Sequence, residues 1–161
     1  MCEKAVKEWG CNLKFVPEHL KTYVMCEEAI NEWRGNLKHV PDHFKTASMC
    51  EDVVKKSAWC FKFVPDHLKT SEMCEKAVKE WIDNLKHVPD HLKTSSMCEE
   101  AFKGCVGNLK FVPAHLKTAD MYEQVIKYWG DDFGYIPSHI KNILKTRFTL
   151  VKLLHIIAVK P

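Results

Sequence analysis

The sequence predicts an all-α fold: an α-solenoid of six 24-residue helix-turn-short-helix repeats. Three observations carry the prediction. The prolines Pro17, Pro41, Pro65, Pro89, Pro113 and Pro137 fall every 24 residues without a slip. Around them one stretch recurs: Asn-Leu-Lys-Phe-Val-Pro-Ala-His-Leu-Lys-Thr at 108–118, close copies from Asn12, Asn36 and Asn84, looser ones over 61–70 and 132–142. Ahead of each copy, apolar residues take helical spacing. A unit this short cannot bury its apolar face alone, so neighbouring units must stack to make a core.

The units start at Met1, Met25, Met49, Met73, Met97 and Met121 and fill residues 1–142. In the first, Cys2, Ala5, Val6 and Trp9 stand at i, i+3, i+4 and i+7, one face of an α-helix. Glu3 and Lys7 form an i,i+4 pair on the other face, as do Glu75 with Lys79, Glu99 with Lys103 and Glu123 with Lys127. Thr22, Thr46, Thr70, Thr94 and Thr118, each three residues before a Met, are the preferred N-caps. Ser48, Ser96 and Asp120 are rivals two residues later, each at capping-box distance from Glu51, Glu99 or Glu123. The second half holds Leu13, Val16 and Leu20 around Pro17. Proline drives the preceding residue out of the α region and tolerates a first helical position. Val16 is therefore a break, and residues 17–21 a short helical turn. The expected core is Cys2, Ala5, Val6, Trp9, Leu13, Val16 and Leu20, with their equivalents in later units.

Units three and five depart from this. Ser57 and Cys105 replace the Trp of position nine, and Trp59 arrives two residues late. Loss of so bulky a side chain predicts a different packing layer there. In unit six Tyr122 replaces the cysteine. Residues 143–161 leave the period as an apolar tail, densest over 148–159. A cap on the last unit, a partner or membrane-surface contact, and a tail without evolved role all fit it. The array opens at repeat position one, as a cut from a longer array does.

At 161 residues the chain suits one short array; 46% apolar residues supply a core, and 28% charged residues argue against global disorder. The sequence predicts no signal peptide, since Cys2, Glu3 and Lys4 open the chain, and no transmembrane segment. Cys2, Cys26, Cys50, Cys74 and Cys98 recur at one repeat position. Equivalent positions on neighbouring helices lie too far apart for a disulfide, so free buried thiols and a reducing, cytoplasmic location are expected.

Units such as Met-Cys-Glu-Lys-Ala-Val-Lys-Glu-Trp followed by Leu-Lys-Phe-Val-Pro-Glu-His-Leu-Lys-Thr resemble a short helical repeat family of unknown function, found in large DNA viruses, some bacteria and unicellular eukaryotes. The likeness covers residues 1–142, and Val-Pro-x-x-Leu-Lys-Thr is its most specific part. The resemblance implies a helical array and brings no catalytic residues.

Three ladders are the candidate functional elements. His19, His43, His67, His91, His115 and His139 sit two residues after each Pro; the expected role is a structural hydrogen bond to a neighbouring backbone group. Units two and four add His39 and His87, so that two histidines stand four apart. The intervening proline disrupts the helical metal-ligand geometry, and neither metal nor cofactor is expected. Lys21, Lys45, Lys69, Lys93, Lys117 and Lys141 follow the histidines; Lys14, Lys38, Lys62, Lys86 and Lys110 precede the prolines. On a common face they make a basic stripe of eleven charges. Alternatively they form a solvated face balanced by the acids of the first helix. Phe15, Phe63 and Phe111 beside them serve as stacking platforms or as core. A Cys repeated in five units and a His in all six argue for packing rather than for a single catalytic cleft, and no Gly-rich phosphate loop or Ser-centred elbow is present. The expectation is a non-enzymatic scaffold for another protein. The alternative is electrostatic nucleic-acid binding along the lysines, weakened by a net charge of only +3 and by having only Arg34 and Arg147.

Overall fold

The computed structural model describes residues 2–129, together with positions 138, 140, 142, 143 and 146. Six α-helices mark the six units: α1 (Cys2–Glu8), α2 (Tyr23–Glu32), α3 (Ala47–Lys56), α4 (Ser71–Glu80), α5 (Ser95–Gly104) and α6 (Ala119–Trp129). The threonines cap them as expected. Thr22, Thr46, Thr70 and Thr94 are extended, and each Oγ1 accepts the N–H of the Met three residues on. Thr118 does the same for Met121. The rivals Ser48, Ser96 and Asp120 lie inside their helices.

The second half of each unit is 3₁₀ rather than α. Longer 3₁₀ segments run over Gly10–Phe15, Arg34–His39, Ala58–Phe63, Ile82–His87 and Val106–Phe111. One-turn segments follow at Glu18–Leu20, Asp42–Phe44, Asp66–Leu68, Asp90–Leu92 and Ala114–Leu116. Val16 is the extended break that Pro17 demands. Pro17 itself is not the first helical residue: at φ −54° and ψ 142° it is polyproline-like and caps a turn shorter than expected. Pro41, Pro65, Pro89 and Pro113 repeat that geometry.

The units stack into a two-layer solenoid. Helices α1 and α2, α3 and α4, and α4 and α5 pack directly, while each longer 3₁₀ segment packs on the next. One core runs between the layers. Cys26, Cys50, Cys74 and Cys98 are fully buried, as are Leu13, Leu37, Phe61, Leu85 and Leu109. Burying each Leu or Phe contributes roughly 1.5–3 kcal/mol.

Two expected core positions are corrected. Trp9, Trp33 and Trp81 are 65%, 48% and 43% exposed. Trp33 and Trp81 end their helices in extended conformation, so helical spacing no longer governs where they point. Leu20 is exposed, and its equivalents Phe44, Leu68, Leu92 and Leu116 are only half-buried. The methionines, which the expected core left out, belong to it: Met25, Met73, Met97 and Met121 are buried within the first turns. Because position nine lies outside the core, Ser57 leaves no gap in unit three. Tyr122 joins the core in place of cysteine. The repeat copy at 132–142, the tail 148–159, His139 and Lys141 fall wholly or largely outside the described residues.

Candidate functional site

Position 12 of the unit holds the layers together. Asn36, Asn84 and Asn108 are buried, and their Nδ2 atoms donate to the carbonyls of Ala29, Ala77 and Ala101 at 2.8, 2.9 and 3.0 Å. Asn12 bonds Ala5 in the same way. Asn84 also reaches the Ala58 carbonyl of the preceding unit at 2.9 Å. The sequence showed this asparagine opening every close copy of the motif, yet a polar side chain gave no sign of burial.

The hydrogen bond to a neighbouring backbone group that was expected of the histidines is made, among the described residues, by lysines that follow them. Lys21, Lys45, Lys69 and Lys93 donate to the carbonyls of His39, Phe63, His87 and Phe111 in the next unit, at 2.6, 2.9, 2.6 and 2.6 Å. Lys45, Lys69 and Lys93 also pair with Asp42, Asp66 and Asp90 at 2.9, 2.8 and 2.8 Å. Their side chains are only 7%, 5% and 6% exposed. The hydrogen bond to the lysine, then its charge, hold the Asp66 and Asp90 carboxyls below their ordinary range. Lys117 is likewise half-buried. His19, His43, His67, His91 and His115 are exposed. The extended residue after the short turn points into the unit junction, while the turn itself carries the imidazole outward. Among the described residues the two lysine ladders therefore do not share one exposed stripe.

The other ladder stays free. Lys14, Lys38, Lys62, Lys86 and Lys110 are exposed. They accompany aromatic rings: Lys14 Nζ lies 4.6 Å from the Phe15 ring, Lys38 5.6 Å from Trp33, and Lys110 4.8 Å from Phe111. Lys62 is 5.5 Å from Trp59 and 5.1 Å from Phe63. The late Trp59 finds its place here, with ring centroids 5.9 Å from Trp33 and 5.8 Å from Phe63. Gly35 permits this: a Cβ there would come within 2.7 Å of both indoles. Trp33, Trp59 and Phe63 with Lys38 and Lys62 thus make a ridge of rings and ammoniums across units two and three, and Lys14 with Phe15 and Lys110 with Phe111 repeat the pairing at positions 14 and 15 of units one and five. Phe63 and Phe111 are half-buried, contributing both to the ridge and to the core edge.

Arg34 is absent from the ridge because its guanidinium caps its own helix, donating to the carbonyls of Ile30 and Asn31 at 2.6 and 2.7 Å. Beside the ridge, an open groove of about 630 Å³ lies at the junction of units one and two. Lys38, His39 and His43 line it, with Lys21 and Lys45 at its floor and Glu18 and Asp42 as its acids. Burial, then Lys38, Lys21 and Lys14, push the His39 pKa below its ordinary value. His87 is depressed in the same way by burial, then by Lys86, Lys69 and Lys62. Lys14 and Lys38 thus both act on His39, and Lys62 and Lys86 on His87.

Burial disfavours the thiolate at the core cysteines. Burial pushes Cys50 and Cys74 up to about 11 and raises Cys26, Cys60 and Cys98 as well. All eight cysteines are free, with Cys11 and Cys105 exposed. Among the described residues, no group of three or more His, Cys, Asp or Glu is placed to hold a metal ion, and no helix is long and apolar enough to cross a membrane.

Fold and surface together define an α-solenoid repeat protein with an exposed aromatic and lysine ridge. No family model matches the chain, and neither a curated protein nor a solved structure is similar to it.

Proposed function

We propose that the chain is a non-enzymatic scaffold that binds another protein through the ridge formed by repeat positions 9, 14 and 15. The observation that carries this is the exposure of Trp9, Trp33 and Trp81 at 65%, 48% and 43% beside a core that excludes them. Tryptophan is enriched at the centres of protein interfaces, where its indole buries a large area at low entropic cost. The reading includes membership of the repeat family that the motif resembles, and the buried thiols support a reducing, cytoplasmic setting. The test is crosslinking and capture from lysate with the wild-type chain and with the double variant Trp33→Ala, Trp81→Ala. Partners captured by the wild type and lost by an equally stable variant are expected. Capture that is unchanged by the variant overturns the assignment of the surface.

A second reading, electrostatic binding of nucleic acid, is favoured by the lysines set beside rings at Lys14, Lys38, Lys62 and Lys110. It would use the free ladder alone. Binding of single-stranded and duplex oligonucleotides at two salt concentrations tests it, since phosphate contacts weaken steeply with salt. Absence of binding at low salt ends it.

A further inference from the structure

Resting on the protein-binding reading above, we infer that the partner presents an extended, acidic segment in polyproline conformation, with one carboxylate for each unit it crosses. The inference deepens that reading by stating the chemistry of the occupant. Three features carry it.

The first is charge. The ridge offers Lys14, Lys38, Lys62, Lys86 and Lys110, all exposed. At the unit junctions the carboxylates of Asp42, Asp66 and Asp90 are held by the structural lysines. An anionic partner is therefore complementary.

The second is spacing. Packed helices stand about 8–10 Å apart, which sets the step from one unit to the next. A polyproline helix rises roughly 3.1 Å per residue with three residues per turn, so every third residue returns to one face after about 9 Å. One carboxylate can then meet each lysine while the intervening residues rest on the rings. Aromatic ridges recognise this conformation because it is already ordered before binding.

The third is the state of the rings. Lys14, Lys38, Lys62 and Lys110 sit over ring faces at 4.6 to 5.6 Å. Trp33 and Trp59 are tilted by 38° at 5.9 Å, which leaves no slot between them. A nucleobase would have to displace the lysines in order to stack. A carboxylate meets the same ammoniums where they already stand. With Arg34 committed to its helix, the ridge also lacks the planar fork that favours phosphate.

The probe is a fluorescein-labelled peptide of Glu-Pro-Pro triplets, one triplet per unit, followed by fluorescence anisotropy at low and physiological salt. Oligothymidylate and a Glu-Gly-Gly peptide of equal charge are the comparisons. Expected results are salt-sensitive binding of the proline peptide, several-fold weaker binding of the flexible one, and about a tenfold loss in the double variant Lys38→Glu, Lys62→Glu. The double variant Lys55→Glu, Lys76→Glu, which changes exposed lysines of α3 and α4, should keep wild-type affinity. Thermal melting confirms that both variants are folded. No peptide binding at low salt, equal loss in both variants, or tighter binding of oligothymidylate overturns the inference. If the peptide fails while ridge-dependent capture of a protein persists, the scaffold stands and the acidic, extended partner falls. If capture also fails, both fall.

Discussion

At the scale of single residues, polar side chains do work that the apolar pattern hides. Asn84 is the strongest case. Its amide sits 2% exposed between two carbonyls, Ala77 of its own unit and Ala58 of the unit before. Asn84→Ala removes both donors from a position that water does not reach. The Ala77 carbonyl keeps the Trp81 N–H at 3.0 Å, so the loss falls mainly on Ala58. Ala58 is half-buried and opens the 3₁₀ segment Ala58–Phe63, so the cost is that of the lost cross-unit hydrogen bond, about 0.5–1.5 kcal/mol, and the cavity adds to it. The expected result is a lowered denaturant midpoint with an unchanged m-value. Unit three shows a tolerated alternative, since Cys60 occupies the same position, fully buried. Asn84→Cys should therefore recover part of the loss relative to Ala. Equal stability of all three chains would remove position 12 from the forces that hold the layers.

At the scale of elements, the weak point of a unit is its second half. A one-turn 3₁₀ helix has poor hydrogen-bond geometry and few bonds of its own. The lysine after it compensates by reaching across the junction. Lys69 joins the Asp66 carboxylate, the His87 carbonyl and the face of the buried Phe61 ring at 4.8 Å. Such a cation is costly to bury and valuable only when fully partnered. Lys69→Met keeps the stem but leaves Asp66 and the carbonyl without their donor. A loss of about 1.5–3 kcal/mol is expected, as for hydrogen bonds to charged groups. Lys62→Met, on the free ladder, should shift the melting temperature little. Similar effects from both substitutions would contradict the division between a structural and a free ladder. The Asp66 pKa, followed by NMR, should rise toward its ordinary value in Lys69→Met, because the hydrogen bond that depresses it is gone.

At the scale of the whole molecule, the sequence disclosed what is local and periodic. The 24-residue step, the helix starts and the threonine caps depend on neighbours a few positions apart, and they stand as expected. What it concealed depends on direction after a helix ends. Trp33 leaves the helical path at φ −145° and turns to solvent, while Met25, just inside the cap, turns to the core. The same limit hid which of two nearby residues, His67 or Lys69, faces the next unit. These placements give the array a stability that depends on pH from both sides. His39 and His87 titrate below their ordinary value of 6.5 in the fold. The unfolded chain therefore takes up protons first as pH falls below about 6.5, and their contribution is lost as pH drops through the folded values. Asp66 and Asp90 add a separate loss only below about 3.8. On the alkaline side Cys50 and Cys74 are raised from 9.0 to about 11, so stability declines as pH climbs through that interval. The plateau should lie between about pH 6.5 and 9. Phe occupies the equivalent place in units one, three and five, so His39→Phe with His87→Phe is a substitution the repeat already accommodates. Thermal melting of that variant should show a smaller drop between about pH 7 and 5 than the wild type, with the alkaline limb unchanged. The same acid drop in both chains would mean that other groups, not the imidazoles set among the lysines, govern it.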